Sequence, residues 1–219
     1  MGTQPYYKIY EDQKKTIHWS KEREEIWGME HPTVITLGRR ANFLNSTATV
    51  ESNEYKTLFS DHSMPNIPVV HTDRGGLITL HSPGQLIIYP LLSLAKRQWG
   101  AKEYVCQLLK ITKKCLGHLG IETHWDQAQS GLFHRDEKIV YIGLKISEGR
   151  CYHGLSVNVS NNLNLITGIT SCGMKGRPTT SLSQNNLFID TKTLFNQWVS
   201  IALKEWTDQS LSSEKQSNS

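Results

Sequence analysis

The chain has 219 residues, 24 Lys and Arg against 20 Asp and Glu, a formal net charge of +4 and 37% hydrophobic residues. That length and apolar content support a single globular domain with a real core and exclude wholesale disorder. No stretch approaches the roughly 18 uncharged apolar residues of a membrane span, and the modest basic surplus lacks the interleaved aromatics of a nucleic-acid surface, suiting an acidic protein partner better.

In chain order, the N-terminal MGTQPYYKIYEDQKK has no apolar leader and carries acids early, so no secretory or transit signal is expected. Residues 10–27 are mostly polar with scattered aromatics and predict a helix; TVITLG at 33–38 predicts a strand. A loop-rich stretch, residues 45–66, comes next. PVVHT, LITLH and LIIYPLL, each bounded by Gly or Pro, predict three strands in a meander. Apolar positions 101, 104, 105, 108, 109, 115, 116 and 119 follow helical spacing, closed by Gly120. GLFH, KIVYIGLKIS and CYHGLSVNVS, separated by the turns RDE and EGR, predict two successive hairpins. After Asp190, a candidate cap, positions 194–206 carry a last helical stripe. The domain is read as residues 1–206, and the polar residues 207–219 as a disordered tail. Strands in runs interrupted by helices predict an α+β class of mixed β-sheets flanked by helices.

Four segments carry residues capable of chemistry. In Asp73-Arg74-Gly75-Gly76, two glycines permit close approach of a ligand or of another backbone, and the alternative is an ordinary pair of turns. Arg74 is either an anion ligand or a salt-bridged surface residue, and His81 a site histidine or a satisfied structural one. Lys138 heads the strand KIVYIG, where alternation puts it on one face with Val140 and Ile142, opposite Ile139 and Tyr141. His153-Gly154 marks a bulge or a ligand approach. Cysteines stand at 106, 115, 151 and 172 with no CxxC pair, which argues against a zinc site or a disulfide frame and for reduced thiols in a cytoplasmic setting. Cys172 alone sits in a small-residue loop and is the one candidate reactive thiol, with a buried small hydrophobe as the alternative.

Taken in order, TLGRRAN, DRGGLITLHSPGQL, KIVYIGLKI, YHGLSVNV and CG followed by TSLSQ closely resemble the lipoyl(octanoyl) transferase family, over roughly residues 30–184. The resemblance implies the fold shared with lipoate and biotin protein ligases. It also implies transfer of octanoyl from octanoyl-acyl carrier protein to a lysine of lipoyl domains, those of 2-oxoacid dehydrogenase E2 subunits and glycine cleavage H protein. By the same resemblance the nucleophile falls on Cys172 and the catalytic lysine on Lys138, with Lys145 an alternative by proximity. Substrate binding falls on Arg74, Gly75, Gly76, Leu77, Ile78, Thr79, Leu80 and His81, on Tyr141, Ile142 and Gly143, and on Gly154, Leu155 and Ser156 with His153 adjacent.

Leu77 and Leu80 replace a polar residue and a Tyr usual in the family, and Ser82 replaces a Gly. These departures bear on acyl-chain preference and loop geometry rather than on reaction type. Leu77, Leu80, Tyr141 and Ile142 are expected to wall an acyl tunnel, with core packing as the competing explanation. No cofactor, metal, nucleic acid or membrane is expected, and the enzyme is expected to act as a cytoplasmic monomer. The alternatives are a lipoate ligase or amidotransferase of the same fold, a catalytically idle module that binds acyl carrier or lipoyl domains, and a cysteine hydrolase using His81 or His153 as base.

Overall fold

The computed structural model describes residues 2–19, 23–44, 67–126, 130–167 and 178–217. Along the chain these form α1 (Tyr6–Trp19), β1 (Glu25–Met29), β2 (Val34–Leu37), α2 (Arg39–Leu44), β3 (Val69–His71), β4 (Ile78–His81) and β5 (Gln85–Leu91). They continue with α3 (Leu94–Arg97), α4 (Ala101–His118), β6 (His124–Trp125), β7 (Gly131–His134), β8 (Glu137–Ser147), β9 (Arg150–Asn158), α5 (Asn164–Thr167) and α6 (Thr191–Ser217). The expected loop at 45–66 lies outside the described residues.

The strands make a six-stranded antiparallel sheet, β1-β5-β9-β8-β7-β6, and a three-stranded mixed sheet, β3-β2-β4, in which β2 and β3 run parallel. This is the expected α+β class. All seven residues of β5 are buried, because both faces of this strand are covered. Leu86 and Ile88 join Tyr104, Leu108 and Leu116 of α4 and Trp198, Ala202 and Trp206 of α6 in the main core. Ile87, Tyr89 and Leu91, on the other face, pack under Tyr6, Ile9 and Tyr10 of α1. Pro90 stands opposite Ile26 of β1 in an interruption of the β5–β9 pairing, between the Ile88–Leu155 pair and the bond from the Cys151 amide to the Leu92 carbonyl. Asp190 caps α6 as expected, its Oδ1 accepting from the Thr193 amide at 2.8 Å.

Three expectations are corrected. The N-terminal helix ends at Trp19, and residues 25–29 are a strand. Pairing of Trp27 with Tyr89 in the main sheet outweighs the weak helical signal of that stretch. The meander is replaced by a division between sheets: β3 and β4 flank β2 without pairing to each other, and β5 belongs to the main sheet. The turn at Ser82–Gly84 therefore passes the chain from one sheet to the other. The two hairpins β7-β8-β9 are present, but β8 and β9 pair in unbroken register from Val140–Val157 to Ser147–Arg150, so no bulge lies at His153-Gly154. The irregularity is at the other edge of β8. Phe133 pairs with Lys138 while Leu132 pairs with Val140, leaving one extra residue on β8.

The core position of Leu108, fully buried between helix and sheet, sets a test of this packing. Leu108→Ala is expected to lower unfolding free energy by about 2–5 kcal/mol. Leu203→Ala, on the exposed side of α6, should change it by less than about 0.5 kcal/mol. Urea midpoints with unchanged slopes check both.

Candidate functional site

The three sequence segments of the expected substrate site meet on β8. Tyr141, Ile142 and Gly143 pair in register with Ser156, Leu155 and Gly154 of β9. The segment Asp73–Gly76 crosses above them: the Gly75 amide donates to the Leu144 carbonyl at 2.9 Å, and a Cβ on Gly143 would stand 3.2 Å from Arg74 Cδ. A Cβ at 143 would make tight contact with this crossing, and glycine gives the crossing room there. The left-handed turn at Gly76 (φ +92°) then feeds β4.

Arg74 is buried and directed inward. Its Nε donates to Thr36 Oγ1 at 3.0 Å, its Nη2 to the Thr36 carbonyl at 2.7 Å and its Nη1 to the Gly75 carbonyl at 3.0 Å. Neither an open anion ligand nor a surface ion pair, it holds the glycine turn against β2. Leu80 is packed with Ile35, Leu37 and Ala41 in the core of the small sheet, and Leu155 lies in the main core. Ile78 and Thr79 pair with Leu37 and Thr36. Leu77, Tyr141 and Ile142 are half-buried.

Asp73, unremarked among the expected site residues, secures the crossing. Its carboxylate accepts from the Tyr10 hydroxyl at 3.0 Å, from His153 Nε2 at 3.0 Å and from the Tyr152 hydroxyl. Burial pushes this carboxyl's pKa up, but hydrogen bonds from His153 and Tyr152 outweigh it and hold the group well below the usual carboxylate range. His153 is buried with φ +57°, its amide donates to Gln13 Oε1 at 2.7 Å, and burial lowers its pKa despite Asp73. The imidazole is therefore neutral and serves as a donor. Tyr10 and Tyr152 stack on it, at ring centroid distances of 5.1 and 4.9 Å.

A second polar network runs from β4 to β8. His81 Nδ1 lies 2.7 Å from Gln85 Oε1, Gln85 Nε2 donates to Asn158 Oδ1 at 2.9 Å, and Asn158 Nδ2 donates to the Thr180 carbonyl at 2.9 Å. A backbone carbonyl only accepts, so Thr180 fixes the orientation of the Asn158 amide and, through it, that of Gln85. His81 must then carry its proton on Nδ1. Burial, followed by the nearby His31, lowers its pKa to about 3, so the ring is neutral at physiological pH.

The far end of this network reaches Lys138. The Lys138 amide donates to the Pro178 carbonyl at 2.8 Å, and its carbonyl accepts from the Thr180 amide at 3.0 Å and from Thr179 Oγ1 at 2.9 Å. Beyond the end of the β8–β9 ladder, residues 178–183 thus bridge the two strands, with the Leu182 amide donating to the Asn158 carbonyl. The extra residue on β8 reverses the alternation expected from sequence. Lys138 is not opposite Tyr141, since its Nζ stands 4.7 Å from the Tyr141 ring centroid. Lys145 lies seven residues along the strand, about 23 Å away at the usual rise, and pairs with Tyr152.

Cys172 lies outside the described residues. Of the other thiols, burial pushes Cys115 up to about 11 and Cys151 up to about 12, which keeps both protonated. No group of three or more His, Cys, Asp or Glu placed to hold a metal occurs among the described residues. Asp73, Gln85, Asn158 and Thr179 were missed as site residues. Three of them stand inside the quoted motifs, but only the fold shows that they bond to one another's segments.

Asp73→Asn keeps the shape but loses the charged acceptor. Unfolding free energy at pH 7 should fall by about 1–3 kcal/mol. Because the folded value lies below the ordinary one near 3.9, the carboxylate's contribution is complete above that pH and is lost as pH falls toward the folded value. Wild type should therefore lose stability on acidification below about pH 4 more steeply than Asp73→Asn, as read from urea unfolding at pH 7 and in mild acid.

Comparison with known proteins agrees with this architecture. The family model described as the lipoyl protein ligase A/B catalytic domain matches residues 10–200. An octanoyltransferase of Magnetococcus marinus is 33% identical over 185 residues, covering 84% of this chain and 80% of that protein. One from Hydrogenovibrio crunogenus is 35% identical over 185 residues, covering 84% and 83%. A crystal structure of lipoate-protein ligase A bound with ATP superimposes with a TM-score of 0.71 at 10% identity, covering 94% of this chain and 83% of that one, and so shares the fold. With its sheets, its crossing glycine turn and most of its length accounted for by these matches, the chain belongs to the lipoyl protein ligase A/B catalytic domain family.

Proposed function

We propose that the protein is an octanoyltransferase that moves an octanoyl group from a thioester donor onto a lysine of a lipoyl-domain protein. The observation that carries this reading is its similarity, over 84% of the chain, to curated octanoyltransferases. In this reading octanoyl-acyl carrier protein is the donor, and the lipoyl domains of 2-oxoacid dehydrogenases and the glycine cleavage H protein are the acceptors.

Cys172 is the proposed nucleophile and Lys138 its partner. The Cys172 thiolate attacks the donor's thioester carbonyl. A new carbon–sulfur bond forms, the bond to the carrier sulfur breaks, and that sulfur takes a proton from the Lys138 ammonium and leaves as a thiol, which frees Lys138 to accept a proton in the next step. The acceptor amine then attacks the acyl-enzyme: the amide bond forms, the bond to Cys172 breaks, and the amine's proton passes to Lys138. The first step exchanges one thioester for another and is nearly balanced, whereas the second forms an amide and runs downhill. A thiol with a pKa near 8.5 is about 3% ionised at pH 7, and a cation that lowers it to about 6 raises the thiolate fraction about thirty-fold, worth about 2 kcal/mol. Supporting this pairing, residues 178–180, which begin six positions after Cys172 in the sequence, are bonded to the backbone of Lys138.

Intact-protein mass spectrometry tests the reading. Incubation with octanoyl-acyl carrier protein should add one octanoyl group to the wild-type chain, and an apo lipoyl domain should then remove it. Cys172→Ala should form no adduct, and Lys138→Ala should slow its formation by at least tenfold. Transfer by Cys172→Ala at the wild-type rate would refute the covalent route. The net charge of +4 suits acidic protein partners, so KM for the carrier should rise with ionic strength, and a salt-independent KM would count against docking on this basic chain.

A further inference from the structure

Lys138 is the one lysine proposed for the reaction, and its surroundings are built in an unusual way. The extra residue on β8 turns its side chain toward Tyr141. Its stem lies across Gly131, which pairs with Tyr141 on β7: a Cβ at 131 would stand 2.8 Å from Lys138 Cε. Its Nζ is 4.7 Å from the centroid of the Tyr141 ring and 5.6 Å from that of Phe133. Both distances are within the range over which an ammonium is attracted to an aromatic face.

The Tyr141 ring is itself tethered. Its hydroxyl lies 2.8 Å from Thr179 Oγ1, which is also 2.9 Å from the Lys138 carbonyl and 3.2 Å from Asn158 Nδ2. Thr179 has a single hydroxyl proton, and the Lys138 carbonyl can only accept it. Asn158 Nδ2 can only donate, so the Tyr141 hydroxyl must be the second donor into Thr179. One threonine thus fixes both the backbone of the lysine and the ring beneath its ammonium. Lysine and ring are registered to a common point.

We propose that Tyr141 is a positioning residue for octanoyl transfer, its ring, tethered to Thr179, serving as the platform that holds the Lys138 ammonium in its working orientation. The proposal rests on the reading that Lys138 takes part in the reaction. It gives Tyr141 a task other than walling an acyl chain, and it accounts for an aromatic residue and a threonine on the segment next to the lysine. A flexible four-carbon side chain otherwise samples many rotamers, and a ring face restricts them without neutralising the charge.

The test is steady-state octanoyl transfer from octanoyl-acyl carrier protein to a lipoyl domain by full-length variants. Tyr141→Leu removes the face and should lower kcat about 5–30-fold, with KM for the donor changed less than about twofold. Phenylalanine at 141 removes the tether and should itself lower kcat, and its mono-, di- and trifluorinated analogues, introduced by codon suppression, then keep that ring's shape while progressively weakening its negative face. Log kcat should fall stepwise along that series. A flat series overturns the platform, as does a rise in KM alone, which would make Tyr141 a substrate wall. The fluorinated series decides the question even where Tyr141→Leu fails to fold. Lys138→Ala runs alongside: transfer at the wild-type rate removes the lysine from the reaction and defeats the underlying reading. A slow Lys138→Ala with a flat fluorinated series defeats the platform alone.

Discussion

The carbonyl oxygen of Lys138 accepts from the Thr180 amide and the Thr179 hydroxyl, and the rest of the site is arranged around that pair of bonds. They hold residues 178–180 beside β8 where the β8–β9 ladder has ended, so the strand edge there is covered rather than left open. From the same point Asn158, completely buried, fills all four of its hydrogen-bonding positions: two donors go to Thr179 and Thr180, and two acceptor positions to Gln85 and Asn161. A fully satisfied buried amide has one arrangement, and any alternative leaves a polar atom unpaired at a cost of about 1–3 kcal/mol. The orientation of Gln85 and the tautomer of His81 on the other sheet are therefore consequences of a backbone carbonyl next to the lysine.

The glycine turn is clamped from the opposite side by different means. Arg74 sends its guanidinium into β2, and Asp73, its neighbour, sends its carboxylate to α1 and β9. Opposite charges on consecutive residues thus tie one short turn to both sheets and to a helix. Of the small sheet's buried apolar residues, Val34 joins the core beneath α1, while Ile35, Leu37 and Leu80 pack with Ala41 of α2. Against the main sheet, apolar packing through Val34 is joined by the polar bonds of Arg74 and Asp73.

Much of this was legible in sequence where the signal is local. The amphipathic spacing of α4, the cap at Asp190 and the hairpins of β7, β8 and β9 follow from periodicity and turn chemistry, and the structure has them. The side of β8 to which Lys138 turns was not legible, because a strand with a bulge obeys the same residue pattern as one without until its partner's register is known. Nor was the role of Arg74: an arginine beside two glycines looks like an anion ligand until Thr36, 38 positions earlier, is found beneath it. Asp73, Gln85 and Asn158 each have one partner more than 70 residues away, Asp73–His153 at 80 positions and Gln85–Asn158 at 73. No spacing rule reaches that far.

The protonation states of the site also discriminate between chemistries. A cysteine–histidine hydrolase needs an imidazole that takes a proton near neutrality. His31 is lowered by burial to about 4 and His81 to about 3, while His153 is lowered by burial and already donates to a carboxylate. A base whose pKa lies three or more units below the working pH has little affinity for the proton it must remove. Among the described side chains, then, the imidazoles around the glycine turn are left to structural hydrogen bonding, and a histidine-assisted hydrolase finds no suitable base there.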